Sequence, residues 1–529
     1  MNTKKLIKKS IAKVCGENYP EAVFNLNDLE VSYPPAGFGD YASNAAMRLA
    51  GMTKGNPLDI AGEIKEKLEK LKEVKQVFEK IEVAKPGFLN FYLKKEYLAG
   101  LVENIQKQGN KFGCVRPKKS RKIILEFVSA NPTGPIHLGN SRGGPFGDVL
   151  ASVLTKAGHK VFREYYVNDF GNQIKILGHS ILKDEEVQYS GDYIEELAKE
   201  NKEKDPFEAG KKGAGKILEK FIKPSMQNLG IDFDNYFSEE ELHKKGKIDE
   251  VLQKLKERDL TYEKDGALWF KAAEFGDDKD RVLRKKTGEI TYFGGDIAYH
   301  QDKFDRGFDL AVNVWGADHH GDVKRMLGAM EAIDHKDQLQ ILLTQFVKVF
   351  QNEKEVKMSK RHGNYISIDD LLTEAGRDAV RFFFLMYSAN SQVNFDLDLA
   401  KEQSQKNPVY YVQYAYARIA GILEKTREED FQERFKPELI QEEKELDLLK
   451  HLNRFPELVE DIADNYEVHR LPYYAMELAD KFHSFYHGCK VLDMKNPELS
   501  STRIELVKST KTVFKEVLDL LGIEVRERM

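Results

Sequence analysis

The chain has 529 residues, 41% hydrophobic and 32% charged, with 82 basic against 87 acidic side chains and a formal net charge of -5. That length is too great for one core and predicts about three domains, while the composition excludes a membrane-spanning protein, because no run of about 18 apolar residues exists. A nucleic-acid partner would need a local basic patch rather than a global field.

The start, MNTKKLIKKSIAKVCG, is a basic amphipathic helix without the apolar centre of a signal peptide, so a cytoplasmic location is expected. Its Lys4, Lys5, Lys8 and Lys9 either contact phosphate or form a solvated face. Residues 1–112 mix helical patterns with short strands, as in VFEKIEVAKPGFLNFYL (77–93), and read as a small α+β domain. CVRPKKSRK (114–122) reads as a linker.

Strand 123–129 (IILEFVS), helix 142–158 with a Gly stop and strand 160–167 then form a βαβ pattern. Strand 309–316, helix 321–334 and strand 338–347 repeat it, so residues 118–400 are expected to hold a Rossmann-like parallel sheet. A charged insertion, roughly 180–290, is one that this sheet does not need. From about 400 the strands disappear, and 410–426 and 501–522 carry apolar residues at helical spacing, which predicts an all-α bundle over 401–529.

The stretch NPTGPIHLGN (131–140) lies between the first strand and its helix, where open parallel sheets bind ligands. Pro132 and Pro135 stiffen the turn, Gly134 and Gly139 let backbone approach a flat ligand, and His137 could donate to a phosphate oxygen. Taken alone it reads equally as a plain connection. VKMSKRHG (356–363) places Lys357 and Lys360 three apart around Met358 and Ser359, which suits a loop closing on a triphosphate or, alternatively, a solvated basic loop. GKKGAGKI (210–217) matches the start of a P-loop, but Ile217 stands where Ser or Thr would hold magnesium and no strand precedes it, so it reads as a flexible, lysine-rich helix start. Cys15, Cys114 and Cys489 are odd in number and far apart, against both a disulfide framework and a thiolate zinc site.

In that order, HLGN and KMSK resemble the HIGH and KMSKS signatures of class I aminoacyl-tRNA synthetases. The resemblance narrows to the arginyl-tRNA synthetase family through GFGDYASNAAMRLA (37–50), REYYVNDFGNQI (163–174), FGDDKDRVLRKKTGEITYFGGDIAYH (275–300), YVQYAYARI (411–419) and VRERM (525–529). It implies ATP-dependent activation of arginine to arginyl adenylate, then transfer to the 2'-hydroxyl of the terminal adenosine of arginine tRNA. It also implies activation only when tRNA is bound, a monomer, and magnesium carried by ATP, with no zinc and no organic cofactor.

By resemblance, His137, Asn140, Lys357 and Lys360 are catalytic. Pro132, Gly134, Gly139, Gly316, Asp318, His319, Met358 and Ser359 join His137, Asn140 and Lys360 around ATP. Glu126, Ser129, Asn131, Tyr292 and Asp296 hold arginine, whose forked guanidinium needs carboxylate acceptors. Asn44 at the N-terminal domain and Tyr411, Tyr414, Arg418 and Met529 at the helical end contact tRNA, although tyrosines at helical spacing also serve as core and Asn44 could bond its own backbone. His319 with His320 and Asp318 could suggest a metal, but neighbours on one strand end point apart. Asn140 departs from the second signature histidine, and an amide donates a hydrogen bond without carrying charge. Another class I synthetase, a small-molecule nucleotidyltransferase and an inactive tRNA-binding paralogue remain as alternatives.

Overall fold

The computed structural model describes residues 2–20, 29–356, 366–426 and 435–529. Its centre is a five-stranded parallel sheet in the order Leu339–Thr344, Leu310–Gly316, Lys122–Glu126, Lys160–Val167 and Asn235–Ser238. Ile123, Ile124 and Leu125 of the middle strand are buried on both faces, which is why these strands read as continuous apolar runs rather than alternating ones. Helix Gly143–Lys156 packs back on the sheet through Val149, Leu150, Val153 and Leu154.

Two expectations are corrected here. The insertion does serve the sheet, because Asn235–Ser238 is its edge strand. The predicted strand 338–347 is two: Leu339–Thr344 stays in the parallel sheet, and Val347–Gln351 joins Lys354–Val356 and Val393–Asp396 in a separate sheet. The break falls at Gln345, whose carbonyl accepts from Arg142 Nη1 at 3.0 Å instead of extending the ladder.

GKKGAGKI lies inside helix Pro206–Ile217, which Asp205 caps, and is neither a phosphate loop nor a helix start. Its Gly210 meets helix Asn172–Leu182, where a Cβ would stand 1.8 Å from the Ile174 carbonyl oxygen. Only a glycine permits that crossing. Lys216 pairs with Glu200 at 2.7 Å, and Lys211 and Lys212 pair with Glu240 and Glu203.

At the N-terminal end, a four-stranded antiparallel sheet (strand order Val31–Ser32, Tyr41–Ser43, Phe88–Leu93, Phe78–Ala84) carries helices Thr3–Asn18 and Pro57–Leu68. This unit docks on helix Glu443–Asn465 through buried Glu457, which accepts from the Tyr33 hydroxyl at 2.7 Å and the Lys4 amide at 2.9 Å. Lys4 pairs with Asp461 and Lys5 with Glu460, so these two lysines reach carboxylates of the helical end rather than lying on a purely solvated face. Helices Pro408–Thr426, Glu443–Asn465, Arg470–Gly488 and Pro497–Leu521 form the helical end. No helix of the described residues is long and apolar enough to cross a membrane.

Candidate active site

Strand Lys122–Glu126 ends earlier than the apolar run, because Val128 and Ser129 turn to φ of 69° and 42°. A β-branched residue rarely adopts that conformation. It is held by Ser129 Oγ, which donates to Glu126 Oε1 at 3.0 Å and accepts the Tyr166 amide at 3.1 Å.

Beyond this turn, His137 caps the short helix Leu138–Ser141: its Nδ1 accepts the Gly139 amide at 2.9 Å. An accepting Nδ1 puts the hydrogen of the neutral ring on Nε2, and burial keeps the imidazole below its ordinary pKa. The ring is therefore a neutral donor at pH 7. The same stretch is bonded to the far side of the second motif, with the Leu138 amide on the Ile366 carbonyl (3.1 Å) and the Ile368 amide on that of Ile136 (3.2 Å). Lys357, Met358, Ser359 and Lys360 themselves lie outside the described residues.

A cleft of about 550 Å³ opens at the C-terminal ends of the strands. All five residues expected at arginine, Glu126, Ser129, Asn131, Tyr292 and Asp296, line it, as do Gly139, Asn140, Gly316, Asp318 and His319 of the nucleotide set. Pro132, Gly134 and His137 stand outside its lining; Pro132 is buried, and Gly134 faces Tyr193, whose hydroxyl a Cβ would meet at 3.1 Å. At Gly316 a Cβ would be 2.4 Å from Asp318 Oδ1, so glycine lets that carboxylate fold back over the strand end. His319 Nδ1 lies 3.2 Å from Asp322 Oδ2, and among the described residues no three His, Cys, Asp or Glu are placed to share an ion.

The electrostatics of the cleft are uneven. Asp296 forms no ion pair with a described residue; burial, then the neighbouring Glu126 charge, pushes its carboxyl up to about 7. Glu239 is pushed up to about 8 by burial, then by Asp296 and Asp169. Glu239 stands behind the cleft lining and Asp296 in it, and two raised carboxyls so placed, each without an ion-pair partner among the described residues, mark a place prepared for a cation. Glu126, by contrast, has a cation already: Lys303 Nζ donates to its Oε2 at 2.6 Å. Sequence reasoning missed both Glu239 and Lys303. Glu239 opens SEEELHKK, which looks like any solvated helix start, and Lys303 sits in the polar run YHQDKFD.

At the helical end, Tyr414, Arg418 and Met529 line a second cavity, of about 750 Å³, together with Tyr486. Arg418 Nη2 donates to the Tyr414 hydroxyl at 2.6 Å, and its guanidinium lies 5.5 Å from the Tyr486 ring centroid. Tyr411 is outside this lining and donates to Asp480 at 2.7 Å. Asn44 Nδ2 donates to the Glu30 side chain at 3.1 Å rather than to backbone.

Comparison with known proteins agrees along the length of the chain. Residues 1–93 match the arginyl tRNA synthetase N terminal domain, 101–205 and 182–394 the class I (R) tRNA synthetase catalytic domain, and 412–529 the DALR anticodon binding domain. The arginine–tRNA ligase 1 of Halalkalibacterium halodurans is 44% identical over 517 residues, covering 93% of this chain and 92% of that protein. The arginine–tRNA ligase of Bacillus subtilis is 42% identical over 524 residues, with 93% and 92% covered. A crystal structure of the Plasmodium falciparum arginyl-tRNA synthetase shares the fold, with a TM-score of 0.82 at 20% identity over 100% of this chain and 99% of that one. The matched domains are those of a class I aminoacyl-tRNA synthetase, an ATP-consuming ligase. Within that class the chain belongs to the arginyl-tRNA synthetase family and charges tRNA with arginine.

Proposed function

We propose that the cleft binds arginine with its guanidinium on Asp296 and Glu239 and its polar head near Ser129 and Asn131. The observation that carries this reading is the pair of raised carboxylates without a cation, at about 7 and about 8. A planar fork fills two such acceptors, whereas lysine offers one ammonium. Neutral analogues leave buried carboxylates unpaired and are rejected more strongly still.

ATP lies along Gly139, Asn140, Gly316, Asp318 and His319, bringing magnesium with it, and the arginine carboxylate attacks the α-phosphate. The neutral Nε2–H of His137 and the ammonium groups of Lys357 and Lys360 stabilise the charge that grows on the phosphates, so catalysis is alignment plus electrostatics. The arginyl group then passes to the 2'-hydroxyl of the terminal adenosine. Tyr414, Arg418 and Met529 receive tRNA bases by stacking in the second cavity, Tyr411 assists beside it, and Asn44 meets the tRNA at the N-terminal domain. We keep 1–112, 118–400 and 401–529 as the working domain division, and the protein as a cytoplasmic monomer.

ATP–pyrophosphate exchange with each of the twenty amino acids, with and without total tRNA, tests the reading. Exchange with arginine alone, appearing on addition of tRNA, is expected. No exchange under any condition, with tRNA binding intact, would identify an inactive tRNA-binding paralogue and make Asn140 the first residue to revert.

A further inference from the structure

Lys303 lies seven positions after Asp296 on helix Tyr292–Asp305, two turns along on the same face. Its side chain is fully buried, with Nζ on Glu126 Oε2 at 2.6 Å and on Asn313 Oδ1 at 3.0 Å, and 4.2 Å from the Tyr299 ring centroid. The chain of contacts continues to the cleft. Asn313 Nδ2 donates to His300 Nε2 at 2.8 Å, and His300 Nδ1 donates to the Asp296 carbonyl at 2.7 Å.

Burying an ion pair costs several kcal/mol per ion before the attraction is counted, so packing alone does not call for a lysine there. What the pair does achieve is electrical. Glu126 and Asp296 both line the cleft; the Glu126 charge raises the Asp296 carboxyl, and the Lys303 ammonium opposes that effect. We propose that Lys303 is a positioning residue for the arginine cleft: by neutralising Glu126 it leaves Asp296, with Glu239, as the carboxylates that the substrate's guanidinium must meet. This rests on the reading that Asp296 receives the guanidinium.

Other charged or titratable groups face this pair from every side. Glu164 stands on the neighbouring strand, Asp322 and Arg325 on helix His320–Ala332, Glu239, Asp169 and Tyr166 around the mouth, and Tyr299 and His300 on the same helix. Lys303 also acts on Glu164 and His300, and Glu126 on Tyr166 and Tyr299, but the two substitutions leave charges of opposite sign beside Asp296, which gives the test its sign.

The test is the pH dependence of kcat/KM for arginine in tRNA-dependent exchange, normalised to titrated active sites. Lys303→Met leaves an uncompensated carboxylate beside Asp296, and its acid limb is expected to move up by about one pH unit, with the KM for ATP unchanged. Glu126→Gln leaves an uncompensated cation, and its limb is expected to move down by about as much. The double variant, whatever its absolute rate, should return to the wild-type limb. A merely structural role predicts no opposed shifts. Shifts of the same sign, or no downward shift in Glu126→Gln, would overturn the proposal even if Lys303→Met failed to fold. Wild-type arginine KM in Asp296→Asn would instead remove the reading of Asp296 on which it rests.

Discussion

Helix Tyr292–Asp305 separates two carboxylate sites, one fully buried and one partly open to the cleft, that the protein treats in opposite ways. Glu164, fully buried, accepts from both Arg306 nitrogens at 2.7 and 2.8 Å, from the Tyr299 hydroxyl at 2.8 Å and from Asn235 at 2.9 Å. Burial alone would raise its pKa, but the Arg306 bonds and charge outweigh that and hold it below the ordinary carboxylate range. Asp296, at the other end of the helix, has no cation of its own and is pushed up to about 7. The contrast teaches how to tell a carboxylate that holds the fold from one that waits for a ligand: the first brings its own cation, the second leaves that place open.

The sharpest way to break the comparison is Asp296→Asn. Losing one partner of a buried ion pair costs about 3 to 5 kcal/mol, so kcat/KM for arginine should fall on the order of a thousandfold, read by tRNA-dependent pyrophosphate exchange. Arg306→Met makes the complementary cut. It strands Glu164 and should remove about 3 kcal/mol of stability in urea unfolding, while the folded fraction keeps its arginine KM within about twofold.

The two sites also differ in pH behaviour. Asp296 has a raised pKa and keeps its proton until pH climbs through about 7, and a guanidinium needs the ionised form. Arginine affinity is therefore full only above about 8, where Glu239 has ionised as well, and should fall by about tenfold per unit or more as pH drops below about 7, with proton release on binding measurable by calorimetry in buffers of different ionisation heat. Glu164 has a depressed pKa; its contribution to stability is complete above the ordinary glutamate range and is lost only as pH falls through its lowered folded-state value.

Smaller effects test the sites further. Arg418→Ala should raise the KM for tRNA about tenfold without touching arginine binding, the scale of one lost base stack. Asn140→His restores a group able to carry charge and should speed activation by a few fold, on the scale of general acid–base and electrostatic help at an exposed position. An unchanged single-turnover rate would show that the amide already suffices.

Much of this was legible beforehand for physical reasons. Buried parallel strands such as IILEF must be continuous apolar runs, and the turn after one of them lies where such sheets bind ligands, although only its pairing with KMSK separated it from a plain connection. Asp296 was found only through the resemblance of YFGGD to a family motif. Glu239 and Lys303 were not legible, because their burial depends on partners far away in sequence; Lys303 meets Glu126 across 177 positions. The edge strand Asn235–Ser238 has 4 residues, too few to show a period within a charged region. The break at Gln345 comes from a side chain 203 positions earlier, which no local pattern encodes.

That side chain, Arg142, is buried with five hydrogen bonds, all to backbone carbonyls: those of Gln345, Ala389 and Ser391 on Nη1, and of Tyr387 and Ser388 on Nη2. Those acceptors are synthesised 203 to 249 residues after the arginine itself. At roughly 5–20 residues per second on the ribosome, the guanidinium waits on the order of 10 to 50 seconds for its cage to exist. The signature turn that precedes it in sequence is thus among the first parts of the catalytic domain to be made and among the last to be fixed in place.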